Sequence, residues 1–231
     1  MLAFKNVSLS FKKRAVLDDI SFKVEPGELC ALLGGSGAGK SSLFHLLTGE
    51  YRPTLGSIVV DNFALEKLGR NDLQKYRQQI GVVFQDFRLL PQKTAFENVA
   101  FALEVCGKYD EIEGRVSALL NIVGLGKKQD AFPHQMSGGE KQRVAIARAL
   151  VHQPKILIAD EATGNLDPKN SREIAELLLA LHKKQGLTIL FSTHDPIMIQ
   201  EMKPRIIRLE QGKVLFDKKE CTIREAFEGL I

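Results

Sequence analysis

Residues 29–41 read Leu29-Cys30-Ala31-Leu32-Leu33-Gly34-Gly35-Ser36-Gly37-Ala38-Gly39-Lys40-Ser41, and this stretch decides the fold. The apolar run 29–33 predicts a strand that is buried on both faces, and the eight residues after it match the pattern G-x-x-x-x-G-K-[ST]. Leucines at 43, 46 and 47 then follow at helical spacing. A strand, a glycine-rich turn and a helix in this order predict a loop that binds phosphate groups.

The residue types of this loop suit phosphate chemistry. Glycines let the backbone wrap closely enough for its N–H groups to point at phosphate oxygens, and the new helix presents its positive end to them. Lys40 would neutralise the phosphates and the Ser41 hydroxyl would join a Mg²⁺ shell. The alternative, a chance glycine-rich turn, is disfavoured by the flanking strand and helix. The predicted nucleotide-binding residues are Gly34, Gly35, Ser36, Gly37, Ala38, Gly39, Lys40, Ser41 and Ser42.

Outward from the loop, strand-like and helical segments alternate. Strand patterns cover 7–11 and 20–24, and further apolar runs occur at 58–60, 80–84, 156–159 and 188–191. Helical spacing separates some of them, as at 169–184, so we expect an α/β core with a mostly parallel sheet. From about Thr94 to Val151 three segments have helical spacing with no convincing strand between them. This block is predicted to be a helical insertion.

Two later strands end in polar residues. Asp160 and Glu161 follow the run 156–159, where open α/β sheets bind ligands, so Asp160 is a candidate Mg²⁺ ligand and Glu161 could orient or deprotonate a water. A helix N-cap with a solvated neighbour is the alternative for this acidic pair. His194 follows the strand 188–192 and is expected at the same edge of the sheet.

A second glycine-bearing segment precedes a helix. Ser137-Gly138-Gly139-Glu140 leads into the helical segment 141–150, and a Ser with two glycines at a helix start can hold an anion. An ordinary N-cap, in which Glu140 completes a capping box, is the alternative.

Composition excludes several other classes of protein. The chain has 231 residues, 32 Lys+Arg against 28 Asp+Glu, and three widely spaced cysteines. That balance and the scattered basic pairs are not typical of a nucleic-acid-binding surface, and the cysteine spacing favours neither disulfides nor zinc. No apolar run reaches the roughly 20 residues that cross a bilayer, and no signal peptide is recognisable, so we expect a cytosolic chain.

In this order, the motifs resemble those of the nucleotide-binding subunits of ABC transporters, over essentially the whole chain. They are GGSGAGKS at 34–41, Gln85, MSGGEKQR at 136–143, ILIADE at 156–161, Gly164-Asn165-Leu166-Asp167 and Ser192-Thr193-His194-Asp195. The resemblance implies an α/β P-loop NTPase fold of the RecA-like type, with a mostly parallel sheet core, an N-terminal antiparallel β subdomain and an inserted α-helical subdomain. The expected single domain divides into a core of 1–85 and 154–231 and a helical part of 86–153.

The resemblance also implies roles and partners for particular residues. In this family two subunits pack head to tail, so ATP and Mg²⁺ held by one copy are capped by Ser137, Gly138, Gly139 and Glu140 of the other. The implied Mg²⁺ ligands are Ser41, Gln85 and Asp160, and the implied catalytic residues are Glu161, His194 and Gln85. Asp167 would lie at the dimer seam. Phe11 stands where the family has an adenine-stacking aromatic residue, and a buried strand residue is its alternative reading.

Within the family, segments 84–90, 97–103 and 159–167 are most similar to the FtsE-type cell-division branch. This implies an FtsX-type membrane protein as partner, a position on the cytoplasmic face of the plasma membrane, and control of peptidoglycan hydrolysis. The runner-up is the ATPase of a lipoprotein-releasing or macrolide-efflux transporter. A DNA-repair or chromosome-organising ATPase is disfavoured because only 97 residues and no heptads separate Lys40 from Ser137. A ribosome-acting member would normally carry two cassettes.

Overall fold

A computed structural model describes residues 1–12 and 14–229, so Lys13, Leu230 and Ile231 of the predicted core lie outside the described residues. The strands are β1 (Leu2–Phe11), β2 (Arg14–Val24), β3 (Leu29–Leu33), β4 (Leu55–Val60), β5 (Phe63–Ala64), β6 (Ile80–Val83), β7 (Ile156–Asp160), β8 (Thr188–Ser192), β9 (Arg205–Glu210) and β10 (Lys213–Lys218). The helices are α1 (Lys40–Leu47), α2 (Arg70–Arg77), α3 (Ala95–Val105), α4 (Ile112–Ile122), α5 (Gly138–Leu150), α6 (Pro168–Gln185), α7 (Pro196–Met202) and α8 (Ile223–Phe227).

The larger sheet contains the strand that precedes the glycine-rich loop. Its order is β10-β9-β3-β8-β7-β6, and every neighbouring pair is parallel except β10 with β9. β3, β7 and β8 are almost entirely buried, which is typical of parallel strands covered on both faces. Because β3, β8 and β7 pair in parallel, the loops that follow them emerge at the same end of the sheet, where open α/β sheets bind ligands.

The smaller sheet is antiparallel, in the order β2-β1-β4-β5. It contains the run 58–60, which the sequence pattern had grouped with the parallel strands; that assignment was wrong. Strand 58–60 pairs antiparallel with β1, with Phe4 opposite Ile58. A short apolar run does not reveal the direction in which it pairs, because burial on both faces is possible in either sheet. The predicted fold class, a mostly parallel core with an antiparallel β part and inserted helices, is confirmed.

α3, α4 and α5 lie consecutively in the chain between β6 and β7 and contact one another. Their buried residues form one apolar cluster with the side of the parallel sheet that includes Val83 and Ala159. The rest of the core packs the antiparallel sheet and α1 against the other face. Among residues 1–12 and 14–229 no helix has the length and apolar character needed to cross a membrane.

Candidate nucleotide-binding and catalytic site

The glycine-rich loop joins β3 to α1 and leaves the start of that helix open. Gly39 is the N-cap residue of α1, and within the described chain no side chain caps it. The first backbone N–H groups of a helix have no partner inside the helix, so those of α1 can bind an anion. Lys40 Nζ donates to Gly34 O at 2.7 Å and to Gly35 O at 3.1 Å, so its positive charge is held beside the loop.

Two of the glycines cannot be replaced without strain. Gly39 has φ 104°, and a Cβ there would lie 2.5 Å from Leu17 Cδ2. A Cβ on Gly34 would lie 2.6 Å from Leu209 O and 2.9 Å from Ala38 Cβ. The loop therefore passes close to neighbouring strands, and only glycine fits those positions. Ser36, Gly37 and Ser41 are exposed, whereas Gly35 and Ser42 are half-buried and Ala38 is buried.

Asp160 ends β7 beside the end of β8. Its Oδ1 accepts a 2.6 Å hydrogen bond from Ser192 Oγ, because Asp160 and Ser192 are paired residues of the two parallel strands. Burial raises the pKa of Asp160 and the charge of Glu161 adds to the effect, whereas the Ser192 hydrogen bond acts in the opposite direction. A half-buried carboxylate with one oxygen oriented by a hydroxyl has its second oxygen available for a cation.

The three predicted catalytic side chains converge on one glycine. A Cβ built on Gly164 would lie 3.1 Å from Gln85 Nε2, 3.3 Å from Glu161 Oε2 and 3.3 Å from His194 Cε1. His194 Nδ1 lies 3.4 Å from Glu161 Oε2, with the His side chain exposed and that of Glu161 largely covered. Side chains of residues that are 33 to 109 positions apart in the sequence therefore lie around Gly164.

The backbone of Glu161 is held by the neighbouring strand. Its φ is 47°, in the left-handed region that residues with a side chain rarely adopt. Its N–H donates to Ser192 Oγ at 3.0 Å and lies 3.2 Å from Ser192 O. Ser192 therefore fixes both acidic residues, and sequence reasoning assigned it no role. Its position at the end of the strand next to Asp160 was the signal that could have identified it.

The second glycine-bearing segment forms the capping box that was the alternative interpretation. Ser137 Oγ accepts from Glu140 N at 3.3 Å, and Glu140 Oε2 accepts from Ser137 N at 3.0 Å. Lys128 Nζ donates to Glu140 Oε1 at 2.6 Å, and this bond, followed by that from Ser137, lowers the pKa of Glu140. Gly138 and Gly139 pack against residues 165–170, which end the loop before α6 and form its first turn. In the part of the chain that is described, no hydrogen bond joins 137–140 to 34–41.

The last two predicted site residues, Asp167 and Phe11, are both exposed. Asp167 is the N-cap of α6, and its hydrogen bonds with Asn170 and with the N–H of Lys169 lower its pKa. Phe11 is 44% exposed, and its ring meets Tyr51 edge to face with 5.1 Å between centroids. The buried-strand reading of Phe11 is therefore wrong, because β1 ends there and its side chain leaves the core.

Across residues 1–12 and 14–229 no cluster of three or more His, Cys, Asp or Glu forms a ready metal site. The predicted Mg²⁺ ligands instead suit a metal that is bound together with the nucleotide. Ser41, Gln85 and Asp160 supply hydroxyl, amide and carboxylate oxygens, which Mg²⁺ prefers, and a Mg²⁺ that accompanies nucleotide phosphates needs few protein ligands.

Comparison with known proteins agrees with this geometry. The family model described as "ABC transporter" matches residues 17–164. The cell-division ATP-binding protein FtsE of Mycobacterium tuberculosis (strain ATCC 25618 / H37Rv) is 46% identical over 95% of this chain and 96% of its own length. The methionine import ATP-binding protein MetN of Haemophilus influenzae (strain 86-028NP) is 40% identical over 98% of this chain, which spans 66% of MetN.

A solved structure has the same architecture throughout. The ATP-binding cassette MJ0796, in a dimeric post-hydrolysis state bound to ADP and Pi, aligns with a TM-score of 0.84 at 34% identity, over 96% of this chain and all of that one. The chain belongs to the ABC transporter family, as one of its ATP-binding and ATP-hydrolysing cassettes.

Proposed function

We propose that the chain is the ATPase subunit of an FtsE-like membrane complex, and that two copies enclose the nucleotide. ATP is held by Lys40 and Ser41 of one copy and capped by Ser137–Glu140 of the other. The observation that carries this proposal is the convergence of Gln85, Glu161 and His194 on Gly164, which follows β7 at the same end of the parallel sheet where the glycine-rich loop leaves β3. Such a site can orient a water and the terminal phosphate together.

Each side chain has a role in phosphoryl transfer, which depends on positioning and on charge stabilisation. Glu161 orients or deprotonates the attacking water, and His194 contacts the γ-phosphate. Gln85 joins the Mg²⁺ and water network with Ser41 and Asp160. Mg²⁺ supplies neutralisation of the phosphate charge when it is bound with ATP. Phe11 provides the surface on which adenine stacks, which its exposure supports.

The homodimer is supported by two features. MJ0796 is described as a dimer in two structures that align with this chain. The segment 137–140 is hydrogen-bonded within its own subunit, yet the hydroxyl hydrogen of Ser137 is still free to donate to a phosphate, because the oxygen acts there only as an acceptor. Asp167 would lie at the seam between the copies, because its neighbours Leu166 and Asn170 pack against Gly138 and Gly139.

We propose that the membrane partner is an FtsX-like protein and that the complex regulates peptidoglycan hydrolysis during cell division. The chain would then act at the cytoplasmic face of the plasma membrane through that partner. FtsE relatives at 46% identity support this role. Phe101, Val105 and Tyr109 are exposed apolar side chains on and just after α3, close in sequence to the 86–90 segment, and offer a surface for the partner.

A transport motor is the second candidate. MetN relatives at 40–46% identity favour import of a solute by the same catalytic residues. Purification of the chain with its bound proteins from detergent-solubilised membranes distinguishes the two functions. We expect an FtsX-like protein in the complex; a solute permease in its place would overturn the cell-division role and leave the ATPase assignment intact.

The catalytic assignment is tested by Glu161→Gln. We expect kcat to fall about 10²–10⁴-fold, because the general base is lost while the shape of the side chain is kept. ATP binding, measured by equilibrium titration, should persist, and ATP should drive dimer formation that light scattering detects. Glu176→Gln, at an exposed position of α6, is the matched control and should retain full activity. Wild-type activity in Glu161→Gln would refute the assignment of the base.

A further inference from the structure

The segment that carries Gln85 contains two consecutive strained residues. Phe87 has φ 59° and Arg88 has φ 45°, both in the left-handed region. That conformation is unfavourable for a residue with a Cβ, because the Cβ comes too close to the following carbonyl oxygen. Two adjacent residues of this kind persist only when surrounding contacts hold them. Local backbone hydrogen bonds from Phe87 N to Phe84 O and from Arg88 N to Asp86 O are two such contacts, and the others come from outside the segment.

Arg148 provides the first of these contacts. It lies in the last turn of α5, and its guanidinium donates from Nη2 to Phe87 O at 2.8 Å and from Nη1 to Arg88 O. Burial lowers the pKa of Arg148, and nearby Arg88 lowers it further. An arginine nevertheless stays protonated in a protein, and its planar fork can bind both carbonyls at once. One side chain thus binds both residues of the strained turn.

Asn165 provides the second contact, at the other end of the segment. Its Nδ2 donates to Gln85 O at 3.1 Å. Asn165 follows Gly164, the residue on which Gln85, Glu161 and His194 converge. The backbone of 85–88 is therefore bound by the loop after Glu161 at its first residue and by α5 at its last two.

Contacts inside the segment do not replace these two anchors. Arg88 lies over the Phe84 ring, with Cζ 3.8 Å from the centroid, and its Nε lies 3.3 Å from Asp86 Oδ1. Arg88 and Asp86 are exposed, so the ion pair contributes little. These contacts orient the side chain of Arg88, whereas the carbonyls of Phe87 and Arg88 are fixed by Arg148.

We propose that Arg148 and Asn165 are positioning residues for Gln85: together they hold segment 85–88 so that the Gln85 amide meets Glu161 and His194, and they link it to the helix that begins with Ser137–Glu140. The inference rests on the proposed role of Gln85 in hydrolysis. Movement of α5, when its first turn contacts the nucleotide of a second copy, is passed through Arg148 to the carbonyls of Phe87 and Arg88.

The first test replaces the guanidinium group of Arg148 with the ammonium group of a lysine. Arg148→Lys keeps the positive charge but cannot bind both carbonyls in one plane. We expect kcat to fall about ten- to a hundredfold, as misplaced catalytic groups produce, with KM and the equilibrium Kd for ATP changed less than about twofold. Hydrogen exchange at the amides of 86–90, followed by mass spectrometry without nucleotide, should become at least about fivefold faster.

A double-mutant cycle separates positioning from general stabilisation. In a Gln85→Ala background, Arg148→Lys should lower kcat by less than about twofold, because its effect passes through Gln85. Arg77→Lys is the matched control, since Arg77 Nε also donates to a backbone carbonyl, Thr48 O at 3.0 Å, away from Gln85. It should leave kcat and exchange at 86–90 unchanged.

Asn165→Ala tests the second anchor and remains informative if Arg148→Lys fails to fold. Asn165 is exposed, so this variant should keep its Tm while kcat falls a fewfold and exchange at 86–90 rises. Unchanged exchange in Asn165→Ala, or losses that multiply fully with Gln85→Ala, would overturn the positioning role. An unchanged kcat in Gln85→Ala alone would instead contradict the proposed hydrolysis network, and the exchange data would still report whether the anchors hold the segment.

Discussion

The starts of α1 and α5 are alike in sequence and opposite in structure. Both have glycines at or just before the first turn and a serine nearby, and both were predicted to hold anions. α1 begins at Gly39 with no capping side chain, whereas α5 begins with the reciprocal hydrogen bonds of Ser137 and Glu140. The N–H groups at the start of α1 are therefore available for a ligand. At the start of α5, the side chain of Ser137 already accepts a hydrogen bond from a backbone N–H group.

This difference suggests that the starts of α1 and α5 bind the nucleotide at different steps. An uncapped helix start with Lys40 beside it can bind phosphates within a single subunit, because the N–H groups and the positive charge are available there. A capped start has less to gain from an anion, since Glu140 already brings a negative charge to it. It suits the contact proposed above, in which Ser137 meets a nucleotide only when a second copy brings it.

Among the variants that test this difference between the two helix starts, the largest effect is expected from removing the charge at the open start of α1. Lys40→Ala should weaken ATP binding by a single subunit about 100-fold, because charge-assisted hydrogen bonds to phosphate contribute about 1.5–3 kcal/mol. Isothermal titration with ATP measures this directly. Lys183→Ala, near the end of α6, is the control and should bind ATP normally. If Lys40→Ala binds ATP as tightly as the wild type, the start of α1 is not the phosphate-binding site that distinguishes it from the start of α5.

The second effect is smaller and should appear only in the assembled state. Ser137→Ala should leave ATP binding by one subunit unchanged and lower the steady-state ATPase rate about tenfold, because the hydroxyl that meets the second nucleotide is lost. It should also cost about 1 kcal/mol of unfolding free energy through the lost cap. Urea denaturation and ATPase assays at several protein concentrations measure the two consequences separately.

Thr94→Ala is the matched control for Ser137→Ala. Thr94 and Glu97 form the same kind of capping box at the start of α3. This variant should lose a similar amount of stability without a loss of ATPase activity. If both variants lose activity in proportion to stability, Ser137 acts only as a helix cap and the proposed contact between subunits is incorrect.

The sequence correctly placed both glycine-bearing segments at helix starts, because glycine, serine and the helical spacing that follows them are local signals. It also predicted most strands of the parallel sheet, since burial on both faces produces continuous apolar runs such as 29–33 and 156–159. It did not predict α2, which has Tyr76 as its one buried residue and therefore lacks an apolar stripe. Tyr76 anchors this helix by a tertiary hydrogen bond to Leu47 O at 2.6 Å.

The site residues that sequence reasoning missed act through distant contacts. Ser192 was quoted within a motif, but its role depends on the register that pairs it with Asp160. Arg148 and Asn165 bind backbone carbonyls 61 and 80 residues away in the chain, respectively, and a carbonyl carries no sequence signal. Local patterns reveal the groups that touch a ligand more readily than the groups that orient them.

The smallest expected effect concerns pH and sharpens the contrast between the capped and uncapped helices. The pKa of Glu140 is lowered by its bonds with Lys128 and Ser137, so the charged form stabilises the folded chain. That contribution is fully present above the unfolded pKa of about 4.3 and is lost as pH falls through the lower folded value. Glu140→Gln keeps the shape of the cap but removes the charge.

Urea denaturation of wild type and Glu140→Gln between pH 7 and pH 3 measures this contribution. We expect the wild type to be more stable by about 0.5–1 kcal/mol near pH 7, with the difference shrinking as pH falls toward 3, because a protonated carboxyl and an amide are both neutral. Lys128→Met should abolish most of the difference at pH 7, since Lys128 is the largest cause of the lowered pKa. A difference that is independent of pH would mean that the start of α5 is stabilised by hydrogen-bond geometry alone, and the carboxylate would then be no reason for it to bind an anion less readily than the start of α1.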